Sequence, residues 1–441
     1  MKKIIAAVTL LLLLATPPCL AQDSGEADAV AGACLNGSQW FRLYDTYESD
    51  SARLSPMIRC FSKAMLASAF NRQAEAVEAI STLVRTHQQE IGMGNVVSML
   101  QILGKTYSRL GDNAKASGVM KSLADQLEGA ADSATVASLR QQERLYSVLS
   151  EFDLYQKDDT IALQHTFPFT VDSIGTQPAQ VLMHIDSRLN GRRCRMTFDT
   201  GATYNVIASN LADKFHLTPT DATISVVGTR LSQGRIAIAK ELKIGTLLLR
   251  NVPFLVLDLN SGNERISHST DAYSIILGES LLTQFTRYAL DFDSRTVTLF
   301  SDTIPSPPSR PNICFAPAGC TPYAEIEFEG NRFAVTLDTG ASTTTLGNAF
   351  YHDHSDIIAR EGKWDIEAST GVGGVTYDSV FRLPSLTMRV AGKPFTMHNV
   401  PVSALSTSNA LSSDYGRLGL DFFKLWKKVT VDNRAMTIEV E

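Results

Sequence analysis

Asp199 and Asp338 stand in the same local setting: an apolar run, then Asp-Thr-Gly, then alanine. The flanks read Met196-Thr197-Phe198-Asp199-Thr200-Gly201-Ala202-Thr203 and Thr336-Leu337-Asp338-Thr339-Gly340-Ala341-Ser342-Thr343, 139 positions apart. Average residue usage places one Asp-Thr-Gly by accident in roughly 0.1 of chains this long. Glycine after each aspartate permits a tight backbone approach, and Thr200 and Thr339 carry hydroxyls able to bond across to the partner turn. Two carboxyls set face to face at about 3 Å cannot both ionise and so share one proton. The ionised member draws a proton from water while the neutral member donates to a carbonyl oxygen. That chemistry is peptide hydrolysis without a covalent intermediate.

Positioning such a pair takes two equivalent elements. Asn251-Val252-Pro253 recurs as Asn399-Val400-Pro401, and Ile276-Leu277-Gly278 recurs as Arg417-Leu418-Gly419, in the same order after each Asp-Thr-Gly. Beyond the glycines Gly278 and Gly419 the match runs on at a constant offset: Leu281 with Phe422, Phe285 with Trp426, Asp291 with Asp432, Thr296 with Thr437, Val297 with Ile438. This last stretch alternates, turns through Asp, Ser, Asn and Arg, and alternates again, which predicts a hairpin. A period near 140 residues is the size of a compact lobe, too long for a solenoid unit. The expectation is two lobes related by a pseudo-twofold axis.

These turns and the following apolar-apolar-Gly segments resemble the active site of aspartic proteases of the pepsin and retroviral-protease group, over about residues 165 to 441. The alanine after each Asp-Thr-Gly is similar to the retropepsin-like branch, and the two lobes in one chain are pepsin-like in layout. Arg417 departs from the family's apolar preference, with a consequence expected for the packing of the second lobe's inner loop. The resemblance implies a multidomain chain: an all-β bilobal aspartic-protease (acid protease) fold, preceded here by an all-α helical-hairpin region. It implies catalysis by Asp199 and Asp338, support from Thr200, Gly201, Thr339 and Gly340, and an extended peptide under glycine-bearing flaps. Flap candidates are Gly228 and Gly234 in the first lobe and Gly373 and Gly374 in the second. No first-lobe tyrosine matches the flap tyrosine of pepsin-like enzymes.

Residues 22–160 differ in kind. They are rich in Ala, Leu, Gln, Ser and Glu, with apolar residues at helical spacing and few prolines. Leu103-Gly104, Tyr107, Gly111-Asp112, Ala116 and Met120 resemble a tetratricopeptide repeat, with Phe70-Asn71, Ala76, Ile80 and Leu83 as a degenerate earlier copy. This region is expected to recruit a protein partner, to brace the first lobe, or to act as an inhibitory propeptide. Before it, residues 1–21 read as a signal peptide: Lys2 and Lys3, an apolar run from Ile4 to Thr16, and Cys19-Leu20-Ala21 at the cleavage site. The chain is therefore expected to be exported to a bacterial periplasm or secreted. Pro17-Pro18 before Cys19 disfavours a lipid anchor. The remaining divisions are lobe 1 over 161–304, a proline-rich linker over 305–312, and lobe 2 over 313–441.

With 441 residues, 44% hydrophobic and 20% charged, the chain holds material for two or three cores. Its 40 basic and 46 acidic residues include no basic stripe with interleaved aromatics, so nucleic acid is not an expected partner. A peptide or protein substrate is, and no membrane span is read. Possible disulfides are Cys34 with Cys60 and Cys314 with Cys320, leaving Cys194 as a buried small hydrophobe. No cofactor is expected and no metal. His352-Asp353-His354 reads as a solvated surface turn, and no Gly-x-Ser-x-Gly, His-Glu-x-x-His, Cys-x-x-Cys or phosphate loop occurs. The rival readings are a catalytically silent peptide- or protein-binding module of the same fold, and a homodimer whose lobes pair between chains.

Overall fold

The computed structural model describes residues 25–157, 163–174, 180–227, 231–259, 274–302, 309–317, 319–371, 374–404 and 415–441. The signal segment 1–21 with Cys19, the flap candidates Gly228 and Gly373, and residues 305–308 of the proline-rich linker lie outside the described residues. Contacts divide the described residues into two compact units, 25–151 with 314–317 and 319, and the described residues of 152–313 and 320–441.

The first unit is helical: α1 (Gly25–Asn36), α2 (Trp40–Asp50), α3 (Pro56–Ala69), α4 (Gln73–Arg109), α5 (Asn113–Leu127) and α6 (Ser133–Leu149). Pro56 opens α3, where its missing N–H is no loss, and Asp112 and Asp132 cap α5 and α6 by accepting from Lys115 and Thr135 N–H. Gly92, at φ 76°, interrupts α4. α3 packs on α4, α4 on α5, and α5 on α6. Ala76, Ile80, Leu83, Ala116 and Met120 are buried, and a Cβ on Gly104 would sit 2.5 Å from Met120 Cε. That glycine allows α4 and α5 to approach closely.

The second unit is β-rich and two-lobed. Lobe 1 comprises β1 (Gln156–Lys157), β2 (Gln164–Ile174), β3 (Gln180–Leu189), β4 (Arg192–Phe198), β5 (Val206–Ala208), β6 (Thr218–Val227), β7 (Leu231–Ile244), β8 (Leu247–Leu257), β9 (Ile275–Leu277), β10 (Arg287–Asp291) and β11 (Thr296–Phe300). β12 (Ile313–Phe315) precedes lobe 2, which comprises β13 (Pro322–Phe328), β14 (Asn331–Leu337), β15 (Thr345–Leu346), β16 (Lys363–Gly371), β17 (Gly374–Val390), β18 (Lys393–Ser403), β19 (Gly416–Leu418), β20 (Lys428–Asp432) and β21 (Thr437–Val440). Alternation decides these strands: β11 and β13 bury every second residue, giving one apolar face each.

One sheet runs β21-β20-β10-β11-β2-β3-β4-β9-β5-β8-β7-β6, and in the other β13, β14, β19, β15, β18, β17 and β16 lie side by side. The lobes join where β10 pairs with β20. That ladder is antiparallel and centred on Ala289 opposite Thr430, the equivalent position of lobe 2, so the pseudo-twofold axis passes through it. Both following turns are built alike. Asp291 accepts from Ser294 N–H and Asp432 from Arg434 and Ala435 N–H, while Arg295 and Met436 take φ 53° and 54°. The two Asn-Val-Pro motifs also have a backbone cause, because Asn251 and Asn399 sit at φ 53° and 55°, where asparagine is better tolerated than most residues.

Candidate active site

β4 and β14 each run apolar into an Asp-Thr-Gly turn, and each is bordered by a parallel inner-loop strand. Thr197 and Phe198 pair with Ile276 and Leu277 in lobe 1, and Thr336 and Leu337 pair with Arg417 and Leu418 in lobe 2. The backbone of each aspartate is fixed from that strand: Asp199 N–H donates to Leu277 O and Asp338 N–H to Leu418 O, both at 3.0 Å. Gly278 and Gly419 lie where a side chain has no room. A Cβ on Gly278 would fall 2.5 Å from Tyr204 O and 2.6 Å from Ala202 O, and one on Gly419 would fall 2.6 Å from Thr343 O. Their N–H groups donate to Asn205 Oδ1 and Thr344 Oγ1, each at 3.0 Å.

Between the turns lies a reciprocal set of four hydrogen bonds. Thr200 N–H donates to Thr339 Oγ1 at 3.1 Å and Thr339 N–H to Thr200 Oγ1 at 3.0 Å. The Thr200 hydroxyl donates to Leu337 O at 2.9 Å and the Thr339 hydroxyl to Phe198 O at 2.8 Å. Both threonines are fully buried, so each hydroxyl is held by one donor and one acceptor from the opposite lobe. A valine in either place would leave a buried carbonyl unpaired.

This clasp brings the two carboxyls together within a single chain. A Cβ on Gly201 would lie 2.5 Å from Asp338 Cγ, and one on Gly340 would collide with the Asp199 carboxyl. Each glycine is thus the space into which the other lobe's aspartate fits. Asp199 Oδ1 accepts from Gly201 N–H at 2.9 Å and Ala202 N–H at 3.0 Å, and Asp338 Oδ1 accepts from Ala341 N–H at 3.0 Å. Burial first, then the Asp338 charge, pushes the Asp199 carboxyl well above the usual carboxylate range, against the pull of its two backbone donors. The pair can therefore hold one proton where separate aspartates would hold none.

The inner loops are buttressed by different side chains. In lobe 1, Asn205 N–H donates to Ser280 Oγ, and Asn205 Nδ2 reaches the buried Tyr155 hydroxyl at 3.3 Å. In lobe 2, Asp421 Oδ1 accepts from Thr344 N–H and Oγ1, each at 2.8 Å. Ser342 ties the turn of lobe 2 to β3 of lobe 1, giving its hydroxyl to Val181 O and accepting from Val181 N–H.

Several expected features take other places. Gly234 lies inside β7, paired with Ile224, and a Cβ there would meet Leu255 and Leu257. It admits close packing within the hairpin rather than forming its tip. Gly374 pairs with Gly371 and closes the hairpin of β16 and β17, whose exposed residues include Trp364, Ile366 and Tyr377. Among the described residues no disulfide joins Cys34 to Cys60 or Cys314 to Cys320. Burial pushes the Cys34 and Cys60 thiols up, and the Cys320 thiol turns to Thr203 O at 3.7 Å. His354 is not solvated; it is buried against the rings of Phe328 and Phe350. Among the described residues no group of three His, Cys, Asp or Glu side chains is arranged to hold a metal ion.

Sequence reasoning treated Arg417 as a matter of packing. Its guanidinium instead reaches the site, with Nη1 3.6 Å from Asp338 Oδ2. The signal was available as a charged residue at the position where lobe 1 has Ile276.

No helix among the described residues is long and apolar enough to cross a membrane. No curated protein matches the chain. Among solved structures, basic 7S globulin from soybean aligns at 10% identity and a TM-score of 0.37, over 61% of this chain and 92% of that one. The family model described as aspartyl protease matches the chain twice, over residues 185–280 and 324–422, each match containing one Asp-Thr-Gly turn and one inner-loop glycine.

Proposed function

We propose that the protein is an exported aspartic endopeptidase in which Asp199 and Asp338 activate one water between them. The observation that carries this reading is the reciprocal threonine clasp, which delivers two intact carboxyls into one another's glycine spaces. The ionised carboxyl takes a proton from water as the water oxygen bonds to the scissile carbonyl carbon. The neutral carboxyl gives its proton to the carbonyl oxygen, and a gem-diol forms. Proton return to the amide nitrogen and cleavage of the C–N bond then release an acid and an amine, with one water consumed. Thr200, Gly201, Thr339 and Gly340 serve as turn support, and Gly278 and Gly419 as the inner-loop floor.

The hairpins β6/β7 and β16/β17 are proposed as flaps. Trp364, Ile366 and Tyr377 suit apolar side chains of an extended peptide, since strand alternation sets Trp364 and Ile366 on one face. Export rests on residues 1–21. The helical unit is proposed to act as a tetratricopeptide-like platform for a protein partner, which the burial of Ala76, Ile80, Ala116 and Met120 supports.

A proteome-derived peptide library incubated with the protein at several pH values tests the enzyme reading. Cleavage by the wild type and its absence in folded Asp338→Asn protein are expected. Peptide retained but left uncut by the wild type would replace the enzyme with a binding module. Deletion of residues 22–155 separates the roles of the helical unit: raised activity means inhibition, insolubility means a brace, and unchanged activity with loss of a bound partner means recruitment.

A further inference from the structure

The lobes match in register at the inner-loop strand and part in chemistry there. Thr197 faces Ile276 and Thr336 faces Arg417, so Ile276 and Arg417 hold one equivalent position beside the strand that delivers each aspartate. Ile276 is 2% exposed. The Arg417 side chain is 43% exposed, with Nη1 3.6 Å from Asp338 Oδ2. Since Asp338 Oδ1 accepts from Ala341 N–H, Oδ2 is the oxygen turned toward the cation. The corresponding place in lobe 1 offers a buried aliphatic side chain.

The neighbouring strands also carry cations, Arg192, Arg193 and Arg195 on β4 and Arg332 on β14, of which Arg195 pairs with Asp172 and Arg332 with Glu325. The first turn supplies Asp199 itself and Tyr204, whose hydroxyl burial pushes up to about 12. The Cys320 thiol donates to Thr203 O. In the second inner loop, burial raises the Asp421 carboxyl against its bonds from Thr344 and Phe422. The two strands flanking Arg417 face it with Thr336 and Thr345.

We propose that Arg417 is a positioning residue that breaks the symmetry of the dyad: its guanidinium keeps the negative charge on Asp338, so that Asp199 holds the shared proton. The catalytic half of this statement rests on the endopeptidase reading; the placement of charge does not. In turnover Asp338 then receives the proton of the attacking water and Asp199 protonates the carbonyl oxygen. On collapse of the gem-diol, Asp338 passes its proton to the leaving nitrogen and a diol hydroxyl reprotonates Asp199, which restores the starting state. A cation beside the pair also favours its anionic forms, so the pH window in which the dyad carries one proton lies lower than it would with isoleucine at 417.

The full chain labelled with 13C at its aspartate carboxyls, in an Asp199→Asn background, leaves Asp338 as the single carboxyl of the dyad. Adding Arg417→Gln or Arg417→Met is expected to raise the Asp338 titration midpoint by about one pH unit or more, with Arg417→Lys returning most of the shift. A midpoint that stays put in folded Gln and Met proteins overturns the proposal. A role in packing alone would change the melting temperature and leave the midpoint where it was. With Asp199 intact, the acid limb of kcat/KM is expected to move up by a similar amount in Arg417→Gln protein. If the wild type cleaves no peptide, the endopeptidase reading fails while the carboxyl titration still decides where the charge sits.

Discussion

The two lobes share a backbone plan and differ in the side chains laid on it. Equivalent N–H groups bond inner-loop carbonyls at Asp199 and Asp338, the side-chain oxygens of Asn205 and Thr344 at Gly278 and Gly419, and threonine hydroxyls across the clasp of Thr200 and Thr339. Asn251 and Asn399, and Arg295 and Met436, share the same left-handed conformations. The supports around this plan have diverged: Ser280 and Asn205 in lobe 1 against Asp421 and Thr344 in lobe 2, and Ile276 against Arg417. Backbone geometry at a buried twofold axis is constrained by unpaired polar groups, whereas a position at its rim accepts an isoleucine or an arginine. The symmetric part builds the pair, and the asymmetric part distinguishes its members.

Paired substitutions test that division. Asp199→Asn and Asp338→Asn are each expected to lower peptide turnover by at least about 10²- to 10⁴-fold with the fold retained, measured as kcat/KM beside the far-ultraviolet spectrum. A large residual rate in either would make the two aspartates unequal in need. Gly278→Ala and Gly419→Ala both drive a methyl into carbonyl oxygens and are expected to cost roughly 3 kcal/mol or fail to fold, read by urea unfolding. Thr200→Val and Thr339→Val each orphan a buried carbonyl and should cost about 1–3 kcal/mol, by similar amounts in the two lobes. A marked inequality would mean that the clasp is less symmetric than its distances.

The smallest expected effect is on the pH dependence of stability. A carboxyl raised in the folded state contributes stability that is fully present below its unfolded value of 3.8 and is lost as pH climbs through the raised value. Wild-type melting temperature should therefore fall, relative to Asp199→Asn protein, as pH rises from about 4 toward neutral. Parallel curves would remove the elevation of Asp199.

Much of the bilobal unit was legible because its constraints are local and repeated. Each Asp-Thr-Gly requires a glycine where the opposite carboxyl lands, each inner loop requires a glycine against carbonyls, and each hairpin turn requires an aspartate acceptor, so one spacing recurs through both halves. Helical spacing likewise marked the first unit as all-α. What depends on reach was not legible. Arg417 reads as an intrusion into an apolar motif until its guanidinium is placed 3.6 Å from Asp338. His354 looks solvated beside His352 and Asp353 until Phe328 and Phe350 enclose it, and Gly234 looks like a loop glycine until the Leu255 and Leu257 side chains of β8 crowd it. In these cases the deciding neighbour is distant in the chain.

Titration of the active protein with a tight statine-type transition-state analogue tests the central claim most directly, because such a compound mimics the gem-diol and engages a dyad holding one proton. The account predicts complete loss of peptide cleavage at one analogue per chain, since Asp199 and Asp338 of the same chain form the site. An end point at one analogue per two chains, or cleavage indifferent to the compound, would contradict it.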